Sequence, residues 1–363
     1  MKKQTQTIHA KKQPTLENVN IKSVVLLATP NELRGEIPLT PKAIKTVRTA
    51  RQTIADILDG VDERKLAIVG PCSLHNIAAA GEYAERLKKL ADDVSDTLCV
   101  VMRVYFEKPR SVLGWKGLIN DPYLDDTFKM EDGLRMARGF LLRLAEMGLA
   151  AGTEVLDTLT PQYLGDLFSW SAIGARTSES QTHREIASGI STPVGFKNAT
   201  DGSFEAAING IKTASGEHHF LGVTYDGLPA VFSTAGNPHV HIVLRGGSRP
   251  NYDAESVAEC EKALEAAKLP LKIVVDCSHA NSRKKPERQG LVLRDLLAQL
   301  ENGNRSICGF MLESFLEWGS QPIPQDLKQL RPGMSVTDAC IDWETTESLL
   351  READKRIQAI RGK

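Results

Sequence analysis

The sequence predicts an α/β fold: a (β/α)8 TIM barrel with an N-terminal extension and an inserted β-hairpin. Three observations predict it. First, eight short apolar runs each end in a chemically loaded segment. GPCS follows 66–69, MRVYFEKPR follows 98–101, GTE follows 149–151 and GAR follows 170–173. GFKN follows 193–194, LRGG follows 240–243, DCSHAN follows 271–275, and MLES closes 307–311. Parallel barrels carry their chemistry at the strand ends of one mouth, which is what this recurrence implies. Second, helical patterns at 77–90, 131–147, 160–168, 203–213, 253–268 and 287–300 sit between the runs. Third, two β-like runs, 220–225 and 228–234, flank Asp226-Gly227, a hairpin signal. A barrel needs no hairpin there, so 217–236 reads as an insertion.

The flanking elements follow in order. Residues 1–20 are polar, with Lys2, Lys3, Lys11 and Lys12; the run 24–28 is too short for a membrane span or a signal-peptide core. Pro38 and Pro41 mark a loop. Ile44, Val47, Ile54, Ile57 and Leu58 then recur at helical spacing, and Gly60 stops the helix. Residues 1–60 are therefore an extension suited to regulation or oligomerisation, and 61–363 the catalytic barrel. Near the C-terminus, a loop at 319–335 rich in Gly, Pro and Gln precedes SVTDACIDWE and a final helix at 345–360.

Bulk properties narrow the function. A barrel takes roughly 250 residues, so a chain of 363 leaves room for additions. With 41% hydrophobic residues, 25% charged and a net charge of −1, nothing global favours nucleic acid or membrane as a partner. The six cysteines, at 72, 99, 260, 277, 308 and 340, form no CxxC pair. They fit a reduced, cytoplasmic protein better than a disulfide scaffold.

The strand-end residues carry the chemistry. Cys72, His279, Glu313 and Asp338 offer a thiolate, an imidazole and two carboxylates, a set able to hold a divalent transition metal with an open position. Such mixed donors suit manganese, iron, cobalt or zinc better than magnesium. Each alone has an ordinary role in packing or hydrogen bonding, and Cys277 is a rival thiolate. Arg103, Lys108, Arg110, Arg176, Lys197 and Arg245 come from four strand ends. Guanidinium forks suit phosphate and carboxylate oxygens. So many cations crowded together call for bound anions, so the mouth reads as a site for more than one anionic group. Gly246-Gly247 would let backbone approach a phosphate. Ser73 and Asn76 could cap the following helix.

With these residues in hand, the chain resembles the type I, short-chain microbial class of 3-deoxy-D-arabino-heptulosonate 7-phosphate (DAHP) synthase. The stretches that carry the resemblance are GPCSLHN, RVYFEKPRSVLGWKGLINDP, GARTSESQTHRE, PVGFKNATDGS, LRGGSRPNY, DCSHANS and SVTDACIDWE, and the likeness runs from about residue 21 onward. Ser111 and Ala199 depart from the commoner Thr and Gly of the family. The resemblance implies metal-dependent condensation of phosphoenolpyruvate with erythrose 4-phosphate, the first step of the shikimate pathway. It implies metal ligands at Cys72, His279, Glu313 and Asp338. The phosphoenolpyruvate site falls on Arg103, Lys108, Glu154, Ala175, Arg176, Lys197 and Arg245, and the aldose phosphate on Arg110 and Ser111. Lys108, or water on the metal, is the implied proton donor. An eight-carbon sister synthase using arabinose 5-phosphate, or a ligand-sensing barrel without activity, are the rival readings. KPRSVLGWKG and the extensions oppose the first, and the complete set of ligands and cations opposes the second.

The resemblance also implies feedback inhibition by an aromatic amino acid, at a site of extension and hairpin that includes Ser191, Phe220 and Gly222, and a homodimer or homotetramer. Family members with Gly at the Gly222 position tend to sense tyrosine, and those with Ser phenylalanine. The physical expectation is that the missing side chain leaves room for a phenolic hydroxyl.

Overall fold

The computed structural model describes residues 16–110 and 113–361. Ser111 and residues 1–15 of the N-terminal arm lie outside them. Two helices precede the barrel, α1 (Pro30–Glu36) and α2 (Pro41–Leu58). Each starts at a threonine, Thr29 or Thr40, whose hydroxyl accepts a backbone N–H of the first turn, with Pro at the first helical position. The alternation then runs β1 (Lys65–Gly70), α3 (Ile77–Asp93), β2 (Leu98–Arg103), α4 (Met130–Met147), β3 (Ala150–Glu154), α5 (Thr160–Leu164) and β4 (Trp170–Ile173). It continues through α6 (Gln181–Gly189), β5 (Val194–Lys197), α7 (Glu205–Ala214), the hairpin β6 (His218–Val223) and β7 (Pro229–Thr234), then β8 (Val240–Leu244). The last elements are α8 (Ala254–Ala266), β9 (Ile273–Asp276), α9 (Gln289–Glu301), β10 (Ile307–Glu313) and α10 (Trp343–Arg361). Among the described residues, eight parallel strands close a barrel in the order β1-β10-β9-β8-β5-β4-β3-β2, and β6-β7 form a separate two-stranded sheet.

All eight apolar runs are barrel strands. Two helices were not anticipated, α1 and α6. The sequence of α6 is mostly polar, and only Ile186, Ala187 and Ser188 are buried, so it carries too little periodicity to stand out. Its start is set by Ser180, whose side chain accepts the His183 N–H. The pattern at 160–168 shortens to α5. Asn76 caps α3 as expected, but Ser73 does not cap; its hydroxyl pairs with Thr337 at 2.6 Å.

The extension is part of the barrel's packing. Ile54, Ile57 and Leu58 of α2 share a buried cluster with Leu66, Ile68, Val101, Trp170, Val243 and Met311. The end of α2 is fixed by Lys272 bonding Asp59 at 2.6 Å, and its middle by Arg51 donating to the Phe168 and Gly165 carbonyls. Arg138 of α4, 1% exposed, joins the pieces by donating to the Ile37 and Tyr163 carbonyls and pairing with Asp166 at 2.8 Å. No helix among the described residues is long and apolar enough to cross a membrane.

If α2 seals the barrel floor, deleting its buried methyls should act as a core deletion. Ile54, fully buried, is the test: Ile54→Ala should cost about 2–5 kcal/mol of unfolding free energy in a urea titration. A loss under about 0.5 kcal/mol, the level of a surface substitution, would mean that α2 only rests on the barrel.

Candidate active site

Strand register brings the loaded segments to one rim. Gly70 pairs with Glu313, Met102 with Val69, Arg103 with Gly152, Glu154 with Ala172, and Lys197 with Val243. Ligand atoms of Cys72, Glu313 and Asp338 lie within 4.8 Å of one another. That spacing suits donors sharing one ion, whose bonds run about 2.0–2.3 Å. His279, at a backbone φ of 50°, places Nε2 3.7 Å from a Glu313 oxygen. Its Nδ1 sits 2.9 Å from Asp276 Oδ2. A carboxylate accepting from Nδ1–H leaves Nε2 as the free lone pair, the arrangement that orients histidine ligands. The donor chemistry therefore fits a divalent transition metal held by the four residues.

A cation of the protein also stands among these donors. Lys108 Nζ is 2.8 Å from Cys72 Sγ and 3.2 Å from Asp338 Oδ2. Burial, reinforced by Glu313, pushes the Cys72 thiol up to about 12. Burial works against the Lys108 ammonium, but Cys72, Glu313 and Asp338 outweigh it and hold its pKa above the ordinary value. Asp338 is driven down to about 2: burial opposes its charge, and Lys108 and His279 overcome it.

The cations differ in depth. Arg103, 1% exposed, donates to Glu313 at 3.2 Å and, more weakly, to the Pro71 and Cys72 carbonyls. Lys197 pairs with Asp276 at 3.1 Å. Arg245 is half-buried, its guanidinium donating to the Gly246 carbonyl, with Arg176 close enough to depress it after burial itself. Arg176 and Arg110 are exposed at the rim, and the Arg110 guanidinium packs on Gly114. Glu154 is buried, its carboxylate against Gly174, where any Cβ would stand 2.2 Å from the oxygen; Ala175 follows, half-buried. Gly246 and Gly247 are needed for neighbouring loops: a Cβ would meet Ala280 at 2.8 Å in the first case and the Gly202 nitrogen at 2.1 Å in the second.

Three residues of this site were not singled out from sequence. Asp276, with no exposure, bonds Lys197, His279 and the Ser278 hydroxyl. Asn198 accepts the Arg245 N–H and donates to the Ala199 and Gly246 carbonyls, bracing two loops. Tyr105 lies beneath Arg103 and Lys197. All three stand inside the segments DCSHAN, GFKN and MRVYFEKPR, and their position one to three residues from a candidate site residue was the available signal.

A second region is separate from the metal-type cluster. A cavity of about 1080 Å³ is enclosed by α1, α2, the loop at 188–193 and the hairpin. Ser191, Phe220 and Gly222 all line it. The hairpin places Phe220 opposite Phe232 and Gly222 opposite Ala230, and the two phenyl rings stack at 5.9 Å. The space above Gly222 is not empty: a Cβ there would come within 2.8 Å of the Phe232 ring. The expectation of open room at Gly222 is thus corrected, because Gly222 admits Phe232. Glu107, one residue before Lys108, also lines the cavity.

Burial, with Asp157 adding repulsion, pushes the Glu107 carboxyl up to about 7. A carboxyl raised in the fold adds stability below its unfolded pKa and loses it as pH climbs through 7. Glu107→Gln should therefore match the parent near pH 4.5 and exceed it by on the order of 3 kcal/mol at pH 8.5, read by urea unfolding. A constant difference across pH would refute the buried-acid assignment.

Comparison with known proteins agrees with this geometry. The family model described as "DAHP synthetase I family" matches residues 36–351. The Tyr-sensitive phospho-2-dehydro-3-deoxyheptonate aldolase of Salmonella typhimurium is 52% identical over 342 residues, covering 94% of this chain and 96% of its own. The Tyr-sensitive protein of Escherichia coli is 53% identical over 93% of this chain and 95% of its own, and the Phe-sensitive one 49% over 95% and 99%. The solved structure of the phospho-2-dehydro-3-deoxyheptonate aldolase from Francisella tularensis superposes with a TM-score of 0.91 at 46% identity, covering 93% of this chain and 99% of that one. With the match spanning nearly the whole chain in sequence and in fold, this protein belongs to the DAHP synthetase I family.

Proposed function

We propose that the chain is a metal-dependent DAHP synthase, condensing phosphoenolpyruvate with erythrose 4-phosphate and water to give DAHP and inorganic phosphate. The observation that carries this reading is the mouth itself, where buried cations face a Cys–His–carboxylate donor set in a chain of this family. Cys72, His279, Glu313 and Asp338 hold the metal, which is manganese, iron, cobalt or zinc by donor softness. When bound, it supplies Lewis acidity toward the aldehyde oxygen. Arg103, Lys108, Lys197, Arg176 and Arg245, with Glu154 and Ala175, hold phosphoenolpyruvate. Arg110, with Ser111, holds the aldose phosphate at the rim. Fixed orientation of the two anions replaces a chance encounter in solution. The methylene carbon of phosphoenolpyruvate bonds to the aldehyde carbon. Water adds to the enolpyruvyl carbon bearing oxygen, the carbon–oxygen bond to phosphate breaks, and phosphate leaves. Lys108, an ammonium in the cluster, or water at the metal site gives the new alkoxide its proton.

The test is phosphate release with both substrates and bound metal per chain. Chelation should abolish release, and added divalent metal restore it. Cys72→Ala should stay folded with most metal affinity and most activity gone. Full turnover in metal-free buffer would refute the reading.

Regulation follows from the second cavity. We infer that it takes an aromatic amino acid, tyrosine in preference to phenylalanine, as the names of the Salmonella and E. coli Tyr-sensitive relatives suggest. Gln162, Ser188 and Ser191 line it and offer partners for a phenolic hydroxyl, which would otherwise cost about 1–3 kcal/mol. Homo-oligomerisation is supported by two exposed apolar surfaces: Val24 to Leu27, 41–58% exposed, and the outer face of the hairpin, with Leu221 at 85% and Val231 at 68%. The six free cysteines suit a cytoplasmic location.

Dose–response curves should show stronger inhibition by tyrosine than by phenylalanine, and deletion of residues 1–20 should relieve it with catalysis largely intact. Stronger phenylalanine inhibition would reverse the effector, and undiminished inhibition of the truncated enzyme would remove the arm from the sensor.

A further inference from the structure

Among the proposed substrate-binding cations, Arg103 and Lys197 are the deepest, at 1% and 3% exposure. Both lie against one aromatic ring. The Arg103 guanidinium stands 3.8 Å over the Tyr105 ring centroid, and Lys197 Nζ is 5.9 Å from the same centroid. Tyr105 is itself 2% exposed and packs in the barrel interior with Val101, Trp170, Ala172 and Val243. It lies two residues past the last residue of β2, and its carbonyl accepts the Leu74 N–H at 2.9 Å.

The hydrogen bonds of Arg103 do not fix its fork. Its three contacts run from 3.2 to 3.4 Å, and Nη1 is buried with no partner among the described residues. Lys197 has one carboxylate, Asp276, which it shares with His279. Two like charges this deep repel each other, and a long flexible side chain would swing toward the nearest carboxylate. An aromatic face attracts both cations and occupies the space into which they would collapse. The Tyr105 hydroxyl is buried without a hydrogen-bond partner among the described residues, and the ring face makes the contacts with the two cations.

We propose that Tyr105 is a positioning residue for phosphoenolpyruvate, its ring face holding Arg103 and Lys197 apart and oriented so that both reach one substrate. This rests on the assignment of those two cations to phosphoenolpyruvate made above. The unpaired Arg103 Nη1 is the donor that the arrangement keeps available for an anionic oxygen.

The experiment compares Tyr105→Leu, Tyr105→Phe and Lys197→Met in the metal-loaded enzyme, each confirmed folded by circular dichroism. Tyr105→Leu should raise KM for phosphoenolpyruvate by about tenfold while KM for erythrose 4-phosphate stays within about twofold. Tyr105→Phe, which restores the face, should return KM for phosphoenolpyruvate to within about threefold of the parent. Thermal stabilisation by phosphoenolpyruvate alone should weaken in parallel, a readout independent of turnover. Tyr105→Met, bulky but without a ring, replaces the leucine variant if that one does not fold. The proposal is overturned if leucine or methionine leaves phosphoenolpyruvate binding intact while Lys197→Met weakens it, or if phenylalanine is as impaired as leucine. If Lys197→Met itself leaves phosphoenolpyruvate binding unchanged, the substrate assignment fails, and the role of Tyr105 falls with it.

Discussion

The mouth of this barrel depends on the Asp276 carboxylate. It is wholly buried, and it is the counter-charge for Lys197, the orienting partner of His279 and an acceptor for Ser278. Burial opposes its ionisation, but His279, Lys197 and Arg103 reverse that and hold it well below the ordinary carboxylate range. An ion pair in such a place is weak support for stability, because desolvation cancels much of the attraction. Its value is geometric. One carboxylate fixes a metal-type ligand on one side and a substrate-type cation on the other, so the two halves of the site cannot drift independently. Asp276 can do this because it is the last residue of β9, where the strand leaves the apolar barrel wall and reaches the polar rim.

The same economy runs through the rest of the mouth. The sequence suggested a surplus of cations needing bound anions. The structure offsets part of that surplus internally: Glu313 faces Arg103, and Asp338 faces Lys108. These carboxylates are also the candidate metal ligands. A divalent ion among Glu313, Asp338 and Cys72 would satisfy the charge that Lys108 and Arg103 now answer. The cations would then be left to face anionic substrates. The carboxylates of the candidate metal cluster are thus also the counter-charges of the candidate substrate cations, and the two sets are joined electrostatically.

How much of this was legible follows from the range of each interaction. The eight strands were legible because an apolar run ending in polar residues is a local signal. The candidate ligands and cations were legible as residue types at strand ends, and the fold brings Cys72, Glu313, Asp338 and His279 together. The role of Asp276 was not, since it exists only when barrel closure sets β9 two strands from β5 and delivers Lys197 to it. Helix α6 was missed because its buried face is three residues long. Gly222 was misread because its neighbour in space, Phe232, is ten positions away across a hairpin whose pairing had to be known first.

The extension and the hairpin make sense as one construction. The α1 helix and the hairpin turn are joined by Asn31, whose N–H donates to the Tyr225 carbonyl at 2.8 Å and whose side chain bonds Asp226, and by Arg34 over the Tyr225 ring at 4.0 Å. On its other side Arg34 approaches Asp166, the carboxylate that Arg138 clamps. The cavity walls are therefore tied through α1 to α4 and α5 of the barrel, while Glu107 and Glu154 line the same cavity from the substrate side. Glu107 is followed directly by Lys108, the residue nearest Cys72 Sγ. A ligand filling this cavity would therefore meet Glu107, one peptide bond from a member of the candidate metal cluster's surroundings. The two regions are thus a single residue apart along the chain, and coupling between sites is carried by such contiguous groups when they have two discrete arrangements.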